Sequence, residues 1–218
     1  MRKVLFLAII TTVCASLTFA QDKPKPEFFG GYSYEGLNSG IASSDLAGLG
    51  ITQTSLDNRF NLNGFNLSGT GYLTRRFGIT GDFSAAFRSR TDNFDLVSTN
   101  SSFALYDITG GPQFKFTNKT RATPFVHALF GVAHRRLREE IANNSTTVSS
   151  LVSTTDSSTD FTMNLGGGLD YRLNNRFDLR AIQVDYNPIF LRSRTVEDIN
   201  FPSRTLNGLR ISVGIVFK

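Results

Sequence analysis

Two histidines, one cysteine and no tryptophan leave little from which a catalytic centre is built. A nucleophilic triad needs a nucleophile, a base and an acid that orients the base. His127 is followed two residues on by Leu129, and His134 by Arg136, so neither heads a His-x-Ser pair. No acidic residue falls convincingly beside His134, and His127 reads as an interior polar residue. The lone Cys14 and two histidines offer no transition-metal site, and no cofactor is implied. Gly166-Gly167-Gly168 sits in a strand-like segment with no helix after it, so it is no phosphate loop. Glycines there permit curvature or close packing. Asn144-Ser145-Thr146 matches a glycosylation pattern by chance.

The chemistry that remains is ionic, and it is patterned. The last segment alternates Leu209, Ile211, Val213, Ile215 and Phe217 with Arg210, Ser212 and Gly214, the period of a strand. Seven earlier segments alternate too, at about 27–36, 61–74, 77–88, 102–116, 123–134, 160–173 and 176–187. The phase slips at Ala181-Ile182, the mark of a β-bulge. One face carries Phe, Tyr, Leu, Ile and Val. The other carries Glu35, Asp82, Asp107, Lys115, Asp170, Arg172, Asp178, Arg180 and Arg210, with Arg88 and Asp185. Both charge signs recur along that face, so inside a closed barrel these groups pair with one another. Connections are short near 74–76, 117–122 and 173–176. They are long near 37–60, 89–101, 135–159 and 188–204, and the Ser/Thr/Asn-rich stretch 143–160 is expected to be a mobile loop. Aromatic residues, Tyr32, Tyr34, Tyr72, Phe77, Phe114, Phe116, Tyr171, Phe177, Tyr186 and Phe217, fall near strand ends, as interfacial girdles do.

The first twenty residues stand apart. Met1-Arg2-Lys3, the apolar run Val4–Val13 and a close at Thr18-Phe19-Ala20 form a secretory signal, expected to be cleaved after Ala20. Residues 21–26 are then a short linker and 27–218 the barrel domain. The formal charge of +5 includes Arg2 and Lys3; removing those two leaves +3, too mild for a nucleic-acid partner. Charged residues make up only 19%, against about a quarter in soluble domains. The expected fold is all-β: an eight-stranded antiparallel up-and-down transmembrane β-barrel, with spanning strands of about nine to eleven residues.

Gly30-Gly31-Tyr32-Ser33-Tyr34 at the first strand and Gly208–Phe217 at the last, with eight alternating segments between, resemble the small outer-membrane β-barrel superfamily of the OmpA transmembrane domain, OmpX and Ail-like proteins. The resemblance spans about 22–218. It implies a bacterial outer-membrane location. It also implies recognition of the closing aromatic, Phe217 before Lys218, by the barrel-assembly machinery. Outer-membrane lipid A deacylases resemble this layout, but the residues beside His127 and His134 do not fit them. A monomer with no catalytic site is expected. Three roles remain open: a structural barrel with a plugged polar interior, a narrow pore for ions and small solutes, or a surface protein acting through its long loops. Arg88, Arg90, Arg135, Arg136, Arg138, Arg192, Arg194 and Arg204 all fall at the long-loop end. There they are candidate contacts for lipopolysaccharide phosphates.

Overall fold

The computed structural model describes residues 25–38, 59–94, 97–143, 151–196, 199–201 and 203–218. The signal segment with its cleavage site, Cys14, residues 21–24 of the linker, most of the first long loop and Asn144-Ser145-Thr146 lie outside these residues.

Eight strands close into a barrel in the order β1-β10-β7-β6-β5-β4-β3-β2. They are β1 (Glu27–Asn38), β2 (Arg59–Tyr72), β3 (Phe77–Phe94), β4 (Val97–Lys115), β5 (Ala122–Asn143), β6 (Leu151–Arg172), β7 (Phe177–Leu191) and β10 (Arg204–Phe217). A two-stranded hairpin, β8 (Arg194–Val196) with β9 (Ile199–Phe201), lies between β7 and β10. Every barrel pairing is antiparallel, and β1 closes the ring on β10 from Phe28↔Phe217 to Leu37↔Gly208. Closure leaves no sheet edge along the paired register, as a non-aqueous surround requires.

Period-2 alternation dictates the rest. Ile79, Ile108, Val126, Phe130, Ile182, Val184, Leu209, Ile211 and Val213 stand exposed on the outer wall. Together they form an apolar belt far larger than a water-facing surface sustains, and lipid is the solvent that covers it. The polar partners of the alternation are buried inside.

Two features differ from the sequence expectation. Segments 89–101, 135–159 and 188–204 are not simply loops. β3 and β4 run on to a tight Phe94↔Val97 pairing, and β5 and β6 pair out to Ala142↔Leu151. Residues 151–160 are therefore strand, because Ser and Thr pair well across a ladder. Tyr72 is not a girdle residue: it is buried inside, where its hydroxyl donates to Glu27 Oε2 at 2.6 Å. The slip at Ala181-Ile182 is a bulge. The β7 register steps past Ala181 against both β6 and β10, which restores Gln183, Asp185 and Asn187 to the interior.

Glycine does its work where the interior is crowded. A Cβ on Gly166 would lie 2.3 Å from Asp185 Oδ1 and 2.2 Å from the Val184 carbonyl oxygen, whereas one on Gly81 would meet nothing within 4 Å. Replacing Gly166 with Val should therefore lower the unfolding free energy by about 1–3 kcal/mol. Gly81→Val should stay within about 0.5 kcal/mol of the parent. Urea unfolding in lipid vesicles measures both, and equal losses would refute the packing role.

Candidate functional site

Among the described residues, buried polar side chains from opposite walls meet inside the lumen. These contacts fall in layers, and each layer ties together strands that are not neighbours in the sheet.

The central layer is built on Arg210 of β10, fully buried. Its Nη2 donates to Asp185 Oδ2 on β7 at 2.9 Å and, across the lumen, to Asp82 Oδ1 on β3 at 3.1 Å. Its Nε adds a bond to Asp185 Oδ2 at 3.2 Å. Asp82 also accepts from Asn66 Nδ2 at 2.7 Å, and Asp185 from Gln183 Nε2 at 2.7 Å. His127 Nε2 lies 2.8 Å from Asp185 Oδ1.

Toward the short turns, Arg180 is held between two rings, 4.4 Å from the centroid of Phe29 and 4.2 Å from that of Phe125. Its Nε donates to Asp170 Oδ1 at 2.8 Å and its Nη1 to Gln183 Oε1 at 2.8 Å. The floor is Lys115 on β4. Its Nζ reaches both oxygens of Glu27 on β1, at 2.6 and 2.8 Å, and Asp170 Oδ2 at 3.2 Å. Asp178 pairs with Lys218 at the same end.

Toward the long loops, one amide joins two carboxylates. Asn187 Nδ2 donates to Glu35 Oε1 at 3.0 Å and to Asp107 Oδ2 at 2.8 Å, and Asn187 Oδ1 accepts from Thr162 Oγ1 at 2.6 Å.

Of the charged interior residues expected from sequence, Glu35, Asp82, Asp107, Lys115, Asp170, Asp178, Arg180 and Arg210 are buried in these layers. Arg172 is not. As the last residue of β6 it has the inward phase but sits past the floor, exposed at the short-turn mouth beside Lys25, Arg75 and Asn175. Sequence reasoning left Glu27, Asn66, Gln183 and Asn187 out of the network. Their strand phase was the available signal, and for Gln183 and Asn187 it becomes readable only once the bulge is allowed for. No group of three or more His, Cys, Asp or Glu able to hold a metal occurs among the described residues.

The long-loop arginines divide by strand phase. Arg88, Arg135 and Arg204 are half-buried and share the inward phase. Arg88 lies over the Phe60 ring at 5.4 Å, and Arg135 Nη2 donates to Ser158 Oγ at 2.6 Å and Asp160 Oδ2 at 3.3 Å. Arg90 is exposed on the same phase further up. Arg136 and Arg138 are exposed with the outward phase, above the apolar Val126, Phe130 and Val132 of β5; Arg138 pairs with Glu140 at 2.7 Å. Arg192 is exposed just after β7, and its backbone N–H donates to Asp160 Oδ1 at 3.4 Å. Arg194 opens β8. The single rim expected from sequence is thus two sets, because side chains four or six residues apart share a face and odd spacings do not.

A model of the outer membrane protein beta-barrel domain matches residues 5–217. No curated protein sequence matches the chain. Among solved structures, the chain is similar to Ail, the attachment invasion locus protein of Yersinia pestis, in complex with the heparin analogue sucrose octasulfate. That similarity has 19% identity and a TM-score of 0.50, over 88% of this chain and 97% of that one. Neisserial surface protein A is similar at 11% identity and a TM-score of 0.50, over 88% and 96%. At these identities the structures bear on the fold alone.

Removing the central cation leaves Asp82 and Asp185 facing each other without it. Arg210→Met should cost about 3–5 kcal/mol of stability. Arg138→Met, on the exposed outer face, should change stability by less than about 0.5 kcal/mol. Equilibrium unfolding of the two variants in the same lipid checks the contrast.

Proposed function

We propose that this chain, which belongs to the outer membrane protein beta-barrel domain family, is a closed barrel of the bacterial outer membrane with a structural role in the envelope. The observation that carries this reading is the fully buried Arg210, bonded across the lumen to Asp82 and sideways to Asp185. A ring of eight strands leaves an interior about wide enough for side chains only. Paired groups reaching across that space support the closed reading. The N-terminal segment is the export signal, removed after Ala20. Nothing in the arrangement of His127 or His134 supports a reaction: the first is tied to Asp185 and the second to Thr159 Oγ1 at 2.8 Å.

The lipid partner is the phosphate-rich outer leaflet. Arg136 and Arg138 rise directly above the apolar part of β5, on the wall that faces lipid. Their cross-strand neighbours are small: Ala104 and Ser157 beside Arg136, Ser102 and Thr155 beside Arg138. Small flanks leave a headgroup room to reach the guanidinium groups, which pair well with phosphate. A second reading, adhesion, draws on β5 and β6. At 22 residues each they are about twice the length a span needs, so they raise a hydroxyl-rich ribbon above the membrane.

Planar-bilayer recording of the refolded mature protein tests the closed reading. Inserted protein should show no steady conductance, and reproducible open channels would put the pore reading in its place. Arg136→Ala with Arg138→Ala should weaken binding of fluorescent lipopolysaccharide at least fivefold, while Arg135→Ala, whose side chain is engaged inside, should leave it within twofold. Equal effects would reject the outward strip. Shortening the β5–β6 ribbon should abolish attachment to host cells if adhesion is the role, with the barrel intact.

A further inference from the structure

The short-turn mouth concentrates positive charge. Each of the three short turns brings two cations, Arg75 and Arg76, Lys119 and Arg121, Arg172 and Arg176, all exposed. Lys25, just before β1, is exposed beside them, and Lys218, just after β10, is half-buried. The acids at this end among the described residues are Glu27, Asp170 and Asp178, and all three are buried. Glu27 holds Lys115 and the Tyr72 hydroxyl, Asp170 holds Arg180 and Lys115, and Asp178 holds Lys218. The ladder also sets like charges against each other. The backbone N–H of Arg172 donates to the Arg121 carbonyl oxygen at 2.8 Å, and that of Lys218 to the Arg176 carbonyl oxygen at 2.9 Å. Arg121 and Arg172 are thus cross-strand neighbours, as are Arg176 and Lys218. Like charges directly opposite each other weaken a sheet. Asp178 lies across from Arg172 in the β6–β7 register, and it is paired with Lys218.

Strand phase turns part of this charge toward the barrel axis. Lys25 stands two residues before Glu27, Arg172 two after Asp170 and Lys218 two after Val216, and Glu27, Asp170 and Val216 are all buried inside. Those three cations, with Arg75, line a cavity of about 210 Å³ whose floor is the Lys115–Glu27 pair. Glu27 is the one acid in the lining, and Thr117, Thr123 and Asn175 add hydroxyl and amide donors. No aliphatic side chain takes part, and Tyr72, the aromatic in the lining, gives its hydroxyl to Glu27. Such a lining suits an oxyanion rather than a ligand with an apolar body. A concave site of one charge sign concentrates counter-ions. Guanidinium and ammonium groups together bind phosphate oxygens well.

We propose that the short-turn mouth is a binding site for a small, multiply charged phosphate oxyanion, held by Lys25, Arg75, Arg172 and Lys218 above the Lys115–Glu27 floor. The ligand is a soluble one. The cavity lies on the inward phase, at the end of the barrel axis, whereas lipid headgroups meet the outward phase. The site goes beyond the closed-barrel reading and does not depend on it.

The test is calorimetric titration of inorganic pyrophosphate into the full-length mature protein, refolded in an uncharged detergent in low-salt buffer free of phosphate. Folding is verified by the mobility shift of unboiled barrel on gels and by β-sheet circular dichroism. The parent should bind one pyrophosphate per barrel. Lys25→Gln with Arg172→Gln should weaken binding at least tenfold, and Lys25→Arg with Arg172→Lys, which keeps the charge, should stay within threefold of the parent. Arg136→Gln with Arg138→Gln removes the same charge at the other end and should stay within twofold. If the first pair does not fold, Arg172→Gln alone replaces it and should weaken binding at least threefold. Absence of binding to the parent, or equal weakening by the substitutions at the two ends, would overturn the site. Native mass spectrometry with phosphatidylglycerol added to the micelles separates a soluble ligand from a lipid. The Lys25→Gln, Arg172→Gln protein should retain as much of that lipid as the parent. Loss of the lipid in the variant would give the site to a headgroup and overturn the soluble assignment.

Discussion

An eight-stranded sheet closed in lipid turns its polar groups into a lumen about wide enough for side chains only, where they need partners. Every structural decision follows from meeting that need. The bond from Arg210 on β10 to Asp82 on β3 spans the lumen between strands that never pair in the sheet. A buried guanidinium is costly to desolvate, and it is tolerated because carboxylates on two walls converge on it. Asn66, Gln183 and His127 then bring β2, β7 and β5 into the same lattice. The Lys115–Glu27 contact repeats the device one level down, from β4 to β1.

The outer wall solves the opposite problem with no partners at all. Residues such as Ile108, Leu209 and Val213 are more exposed than any soluble core would allow, because the hydrocarbon takes the place of a second protein layer. The two walls are one constraint, since each inward Asp or Arg forces its sequence neighbours outward. A bulge is the only way to change that phase within a strand, and β7 uses one at Ala181 to bring Asp185 to Arg210.

Much of this was legible in the sequence, and for a physical reason. Alternation of period 2 is a local signal, so the eight strands, their faces, the bulge and the inward placement of Arg210, Arg180, Asp82 and Asp170 could be read without knowing the partners. What was not legible was where a strand stops being covered by lipid. Residues 153–160 are polar on both faces, which reads as a loop, yet pairing to β5 makes them strand. Arg172 has the right phase and the wrong depth, since phase says nothing about distance along the barrel axis. Tyr72 was placed outward because aromatics mark interfaces. Its phase on β2, shared with Asn66 and Thr70, turns the ring inward, and Glu27 accepts its hydroxyl there. Asn187 carries no charge to draw notice, though it joins two acids.

The central claim is that Arg210 and Asp82 hold opposite walls together. A double-mutant cycle on this pair, Arg210→Met and Asp82→Asn singly and together, measured by equilibrium unfolding in lipid vesicles, tests it most directly. The account predicts a coupling energy of about 1–3 kcal/mol, with the double variant less damaged than the sum of the singles. Additive losses, with coupling near zero, would mean that the contact across the lumen does not hold the barrel together.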